Sequence, residues 1–233
     1  MSKPLKSCKK NLWEDCLGYT HWRVSMRLNE IELKYYKEGY NVIVGVDEAG
    51  RGPIAGPVVA AAVILPKTYY NESINDSKSL SDALRRELFE EINKYAIAVG
   101  IGVIEAPQID ELNIYVATQK AMGIALENLK KTYDLVLSDA MPLLNESARV
   151  EAIIKGDENV LSIAAASIIA KVTRDNLMEQ LHETYPDYGF NKHKGYATKK
   201  HIEALRKHGP LKGIHRYTYE PVKSLKFEQI KLF

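Results

Sequence analysis

The sequence predicts an α/β fold: a mixed, partly antiparallel five-stranded sheet with helices packed on it. Two observations carry this. Five apolar runs of strand length alternate with longer stretches of helical periodicity. The first two runs, Asn41 to Asp47 and Pro57 to Leu65, are separated only by a glycine-rich turn, so they pair antiparallel.

Residues 1–40 mix Lys, Trp and Tyr. Within them Arg23 to Glu38 carries Val24, Leu28, Ile31 and Tyr35 at helical spacing, which predicts a helical appendage. The near-continuous apolar runs at 41–47 and 57–65 predict strands buried on both faces. Ser81 opens a helix with Leu88, Phe89 and Ile92 on one face. Ala96 to Ile104 alternates small and branched residues and reads as the third strand. Pro107 to Leu129 reads as one helix, weakened at Gly123. Asp134 to Asp139 and Val150 to Lys155 complete the sheet, and Ser162 to His182 is a long Ala-rich helix. A Lys- and His-rich loop, a helix near Thr198 to His208 and a tail follow. The expected organisation is a helical appendage over 1–40, an α/β core over 41–185, a helical region over 186–222 and a tail over 223–233.

The 233 residues hold one sizeable core. The longest apolar run has nine residues, against the roughly 20 a membrane span requires. The N-terminus is basic without an apolar core, so no secretory signal is expected. Cys8 and Cys16 have neither zinc-ligand nor disulfide-framework spacing, and the chain reads as cytoplasmic with free thiols. Net charge is +2 but unevenly spread. Residues 1–40 hold 8 basic and 5 acidic groups, 41–185 hold 13 and 21, and 186–233 hold 11 and 4. An acidic centre between basic flanks suits a metal-dependent enzyme acting on a polyanion.

Asp47 and Asp139 each close an apolar run, and Asp157 follows the last strand in Lys155-Gly156-Asp157. In open α/β sheets, sites form at the carboxyl ends of strands. Three segments distant in sequence therefore deliver carboxylates to one edge, and Glu48 adds a fourth beside Asp47. Hydrolysis of a phosphodiester by two divalent cations about 3.5–4 Å apart requires such a converging set. An all-oxygen set suits Mg²⁺, with Mn²⁺ as a substitute. Ser167, Lys171 and Arg174 share one face of the long helix, either as a phosphate-binding face or as a solvated stripe.

The chain resembles the ribonuclease HII (type 2 ribonuclease H) family, in its bacterial form, over roughly residues 42–222. The resemblance rests on GVDEAGRGPIAGPVVAAAVIL, Asn75-Asp76-Ser77-Lys78, LSDAM ending at Met141, KGDENVLSIAAASIIAKVTRD, His193-Lys194-Gly195-Tyr196, and Ile214-His215-Arg216 shortly before Glu220-Pro221-Val222. It implies a ribonuclease H-like fold with an added C-terminal helical region. The implied activity is metal-dependent cleavage of RNA in RNA/DNA hybrids and incision 5′ of single ribonucleotides embedded in duplex DNA, leaving 3′-hydroxyl and 5′-phosphate ends. Such an enzyme serves ribonucleotide excision repair and primer removal.

By the same resemblance, Asp47, Glu48, Asp139 and Asp157 are the catalytic carboxylates and hold two Mg²⁺ or Mn²⁺ ions. Gly50, Arg51 and Gly52 contact the 2′-hydroxyl, the group that distinguishes RNA from DNA, and Tyr196 reads the RNA-to-DNA junction. Asn75, Ser77, Lys78, Lys192 and Lys194 are expected on the nucleic-acid backbone. Ser138 stands where the family more often has an aliphatic residue; it should face away from Asp139 and have little effect. The terminal Gln229-Ile230-Lys231-Leu232-Phe233 is similar to the pentapeptide by which bacterial replication and repair proteins bind the sliding clamp, with Gln229, Leu232 and Phe233 as anchors. The chain is expected to act as a monomer.

Two alternatives stand beside this one. A type 3 ribonuclease H prefers long hybrids, but usually has Lys in place of Arg51 and a larger N-terminal domain than 40 residues allow. A non-catalytic hybrid-binding or clamp-associated factor would not need all four carboxylates intact.

Overall fold

In the computed structural model, residues 22–74, 80–143 and 147–225 are described. The sheet has the spatial order β3-β2-β1-β4-β5, formed by β1 (Ile43–Ala49), β2 (Val58–Ile64), β3 (Ala98–Ile104), β4 (Leu135–Asp139) and β5 (Arg149–Ile153). β1–β2 and β2–β3 are antiparallel, whereas β1–β4 and β4–β5 are parallel. The ribonuclease H-like sheet expected from the sequence is present.

Every residue of β2 is buried because the strand is covered on both faces. Side chains alternate along a strand. Val58, Ala60, Ala62 and Ile64 meet α4 (Ile114–Asn128), while Ala61 and Val63 meet α2 (Asp82–Tyr95) and α6 (Leu161–Thr184). A further cluster unites α7 (Phe190–His193), α8 (Lys199–His208) and the end of α6 through Met178, Phe190 and Leu205. Among the described residues, no helix is long and apolar enough to cross a membrane.

Several boundaries differ from the sequence reading. β1 runs two residues past Asp47, because β2 supplies partners for them at Ala60 and Val59. The helix expected over Pro107–Leu129 is two, α3 (Ala106–Leu112) and α4. Asn113, at φ 66°, breaks the path, and its side chain accepts hydrogen bonds from the Tyr115 and Val116 amides. A four-residue helix, α5 (Gly156–Asn159), precedes α6. Ser81 caps α2 as its sequence suggests.

The helix expected near residue 23 is α1 (Trp22–Lys37), and Tyr35 packs with Ile43 and Ile163. Its Glu32 is buried, and its Oε1 accepts from the Ser162 amide at 3.1 Å. No side chain caps the start of α6 from its own sequence, so Glu32 does so from 130 residues away. Gly45 lets α6 lie this close to β1, since a Cβ there would stand 2.1 Å from the Ser162 carbonyl carbon.

Burial raises the Glu32 carboxyl from 4.5 to about 7, against the hydrogen bonds from Ser162. Between those values the folded chain holds a proton that the unfolded chain has released, so stability falls as pH rises through this window. Glu32→Gln keeps an acceptor and cannot ionise. Relative to the parent, it should gain about 2 to 3 kcal/mol on going from pH 5 to pH 8. Urea unfolding at the two pH values measures this, and a difference independent of pH would exclude Glu32 as the titrating group.

Candidate active site

The sheet register builds the acidic cluster. Val46 pairs with Ser138 in the parallel β1–β4 ladder, and one step further brings Asp47 beside Asp139. The Asp139 Oδ1 accepts from the Gly156 amide at 2.7 Å. Lys155, in the left-handed conformation at φ 56°, turns the chain there. Asp157, in the first turn of α5, is thereby placed on the same cluster. Carboxylate oxygens of Asp47, Asp139 and Asp157 lie within 4.8 Å of one another. Asp47 is 5% exposed and Asp157 2%.

The Ser138 hydroxyl donates to the Met141 carbonyl, so this residue is buried structure behind the site. Asp47 accepts from the Ser167 hydroxyl, and from the Glu48 amide at 2.7 Å. Glu48 Oε1 accepts from Arg51 Nη1 at 3.2 Å. Glu48 Oε2 is buried and has no hydrogen-bond partner among the described residues.

Burial, and then the charges of Glu48 and Asp139, hold the Asp47 carboxyl well above the usual carboxylate range. Burial also raises Glu48, with Arg51 opposing it and Asp139 adding to it. Crowded anions and an unpartnered buried oxygen mark a place that a divalent cation would neutralise. The donors are all hard oxygens, so these residues fit Mg²⁺ or Mn²⁺.

Beside the carboxylates lies a groove of about 320 Å³, lined by Glu48, Gly50, Arg85, Ser167, Lys171 and Tyr196 among others. Its glycine-rich wall is shaped by two buried arginines. Arg216 Nε donates to Gly56 O at 3.1 Å, Nη1 to Arg51 O at 2.9 Å, and Nη2 to Gly50 O at 2.7 Å and Gly56 O at 2.9 Å. Arg174 donates to the carbonyls of Pro57, Ala55 and Lys194. Carbonyls of Gly50, Arg51, Ala55, Gly56 and Pro57 are thus drawn inward. The amides of Arg51 and Gly52 have no main-chain partner among the described residues. Gly50 has φ 100°, and a Cβ there would stand 2.1 Å from Arg174 Nε.

The residues expected to contact substrate fall into distinct groups. Tyr196 is half-exposed, with its ring against Gly52 on the groove. Ser167 and Lys171 line the groove, and Lys171 Nζ pairs with Asp175 at 2.7 Å. Lys192 is exposed, whereas Lys194 pairs with Glu179 at 2.7 Å. Arg174 also lines the groove. It is 1% exposed and its guanidinium is committed to main-chain carbonyls, because the loop folds over that face of α6. Asn75, Ser77 and Lys78 lie outside the described residues, as do Gln229, Leu232 and Phe233. Arg216 was not singled out in the sequence; its signal was its place in Ile214-His215-Arg216.

A sequence model of the family described as ribonuclease HII matches residues 44–222. This chain belongs to the ribonuclease HII family. A ribonuclease HII of Listeria innocua serovar 6a is 48% identical over 233 residues, covering 99% of this chain and 87% of the relative. That alignment takes in most of the first 40 residues, which lie outside the 42–222 resemblance. A crystal structure of the ribonuclease H2 from Pyrococcus horikoshii OT3 superimposes with a TM-score of 0.71 at 26% identity, covering 82% of this chain and all of that one. The ribonuclease HII of Archaeoglobus fulgidus, solved as a complex with PCNA, gives 0.64 at 28% identity, covering 75% of this chain and 94% of that one. As a ribonuclease HII family member, the chain is a hydrolase, an endonuclease that acts on RNA in hybrids. The family depends on divalent metal, and the acidic cluster lies where the ribonuclease H fold brings β1 and β4 together.

Proposed function

We propose that this endonuclease incises the phosphodiester on the 5′ side of a ribonucleotide, including a single ribonucleotide embedded in duplex DNA, and leaves 3′-hydroxyl and 5′-phosphate ends. The observation that carries this reading is the neighbourhood of the acidic cluster, a groove lined by Glu48, Gly50 and Tyr196, and the Gly52 backbone against the Tyr196 ring, with the Arg51 and Gly52 amides lacking a main-chain partner among the described residues.

Asp47, Glu48, Asp139 and Asp157 hold two divalent cations, Mg²⁺ or Mn²⁺. When bound, these supply the activated water and stabilise the departing 3′-oxygen. Ser167 and the Gly156 amide fix the orientation of Asp47 and Asp139 by hydrogen bonds. Arg51 holds Glu48 by one oxygen, leaving Oε2 for the site. The amides of the Gly50-Arg51-Gly52 turn meet the ribose 2′-hydroxyl, and Tyr196 stacks on the sugar across the junction. Lys171, Lys192 and Lys194 hold the phosphate backbone, together with Asn75, Ser77 and Lys78.

The enzyme acts as a cytoplasmic monomer in ribonucleotide removal and primer clearance. Its Gln229-to-Phe233 tail anchors it to the sliding clamp through Gln229, Leu232 and Phe233; the PCNA complex of the archaeal relative supports such a partnership.

The test is a labelled DNA duplex with one embedded ribonucleotide beside an all-RNA/DNA hybrid, with and without Mg²⁺. Magnesium-dependent incision 5′ of the single ribonucleotide is expected. Cleavage of the long hybrid alone would overturn the junction reading, and cleavage of neither would overturn the metal assignment.

A further inference from the structure

Behind Tyr196, and apart from the carboxylates, lies a buried set of imidazoles that the mechanism above does not use. His201 of α8 is fully buried and His215 is 1% exposed. His201 Nδ1 lies 2.9 Å from the Tyr196 carbonyl oxygen. Its Nε2 lies 3.1 Å from His215 Nε2, and His215 Nδ1 lies 2.9 Å from the Leu211 amide nitrogen.

The two ends of this chain fix its protons. The Leu211 amide donates, so His215 Nδ1 accepts and its proton sits on Nε2. The Tyr196 carbonyl accepts, so His201 carries its proton on Nδ1, and its Nε2 receives the proton of His215. Only one pair of tautomers satisfies all three contacts. A second proton on either ring would set two N–H groups against each other. Burial, the largest influence on both rings, pushes His201 down to about 4 and His215 down to about 3, in keeping with a neutral pair. Phe190 packs against both rings, and His193 stacks on His201 with centroids 4.2 Å apart.

The segment these rings support is under constraint. Lys194 and Gly195 are both left-handed, at φ 49° and 86°. A non-glycine residue in that region is strained and persists only when its surroundings over-determine it. Here they do. Arg174 holds Lys194 O, His193 Nδ1 accepts from the Gly195 amide, and Ile54 donates to Gly195 O. Tyr196 N donates to His193 O, and Tyr196 O accepts from both Thr198 N and His201.

We infer that His201 and His215 are positioning residues: a directional two-imidazole relay that fixes the main chain at Tyr196 and so holds the phenol over Gly52 at the groove. The inference rests on the reading of Tyr196 as the residue that meets the ribonucleotide junction.

The test is kinetic, on the full chain with the single-ribonucleotide duplex. His201→Asn places an amide N–H near the Nδ1 position and keeps the tie to Tyr196 O. His201→Gln places its amide near Nε2 and loses that tie. Tyr196→Ala alone should lower kcat/KM by more than about tenfold, and His201→Gln by about tenfold, because small misplacement at a reacting centre carries a large rate cost. His201→Asn should recover to within about threefold, and His201→Gln should add less than about twofold in a Tyr196→Ala background.

The same loss in both backgrounds, or no recovery with Asn, would overturn the relay while leaving the Tyr196 reading in place. A Tyr196→Ala variant of unchanged kcat/KM would overturn that reading first, and the relay with it. Imidazole ¹⁵N NMR of the unsubstituted chain tests the relay without any variant. Nδ1–H on His201 with Nε2–H on His215 is expected, and the opposite pair of tautomers would overturn it.

Discussion

Asp47→Asn is expected to abolish magnesium-dependent cleavage while leaving the fold intact and raising its thermal stability in metal-free buffer. The side chain is 5% exposed, and it is held above the usual carboxylate range by burial beside Glu48 and Asp139. Removing its charge relieves repulsion in the folded state, which should stabilise the protein by about 1 kcal/mol. The same change removes a metal-binding oxygen that two-cation hydrolysis requires, and kcat/KM should fall by about 10³-fold or more. Adding Mg²⁺ should narrow the stability gap, because the ion stabilises the parent by mass action and the variant less so. Melting curves with and without Mg²⁺, beside the duplex assay, measure both effects. Activity within tenfold of the parent would remove Asp47 from the metal site.

Arg216→Leu is expected to cost about 3 to 5 kcal/mol of stability, since it strands buried carbonyl oxygens that have lost a charged donor. The guanidinium, which is fully buried, reaches three carbonyl groups, those of Gly50, Arg51 and Gly56. Arg216→Lys should recover little, because an ammonium is a point charge without the planar fork that reaches three acceptors at once. Urea unfolding gives the cost directly. A loss below about 1 kcal/mol would mean that the loop re-forms around water, contrary to the cradle seen here.

The core of the fold was legible because burial on both faces leaves a plain trace. β2 could hardly be anything but a central strand, and the acids at 47, 139 and 157 stood out against apolar runs. What was hidden depended on partners far away in sequence. The extra length of β1 comes from residues of β2. The break at Asn113 requires a backbone angle that no periodicity reveals. Arg174 shares a helix face with Ser167 and Lys171, which fits either a phosphate-binding face or a solvated stripe. Only the tertiary fold shows loop 50–57 lying over it. The role of Arg216 was hidden for the same reason, although its motif was not: a buried arginine and an exposed one are written with the same letter.

Helix α6 gives the molecule a fixed yardstick. Its 24 residues make a rod about 36 Å long at 1.5 Å per residue. Along it stand Ser162 beneath Glu32, Ser167 beneath Asp47, Arg174 inside the glycine-rich loop and Met178 against the C-terminal cluster. Ser167 and Arg174 are two turns apart, about 10 Å, and therefore in phase on one face. One inserted residue between them would turn the loop by about 100° against the carboxylates. The gap between the acidic cluster and the glycine-rich loop is thus set by counting helix residues.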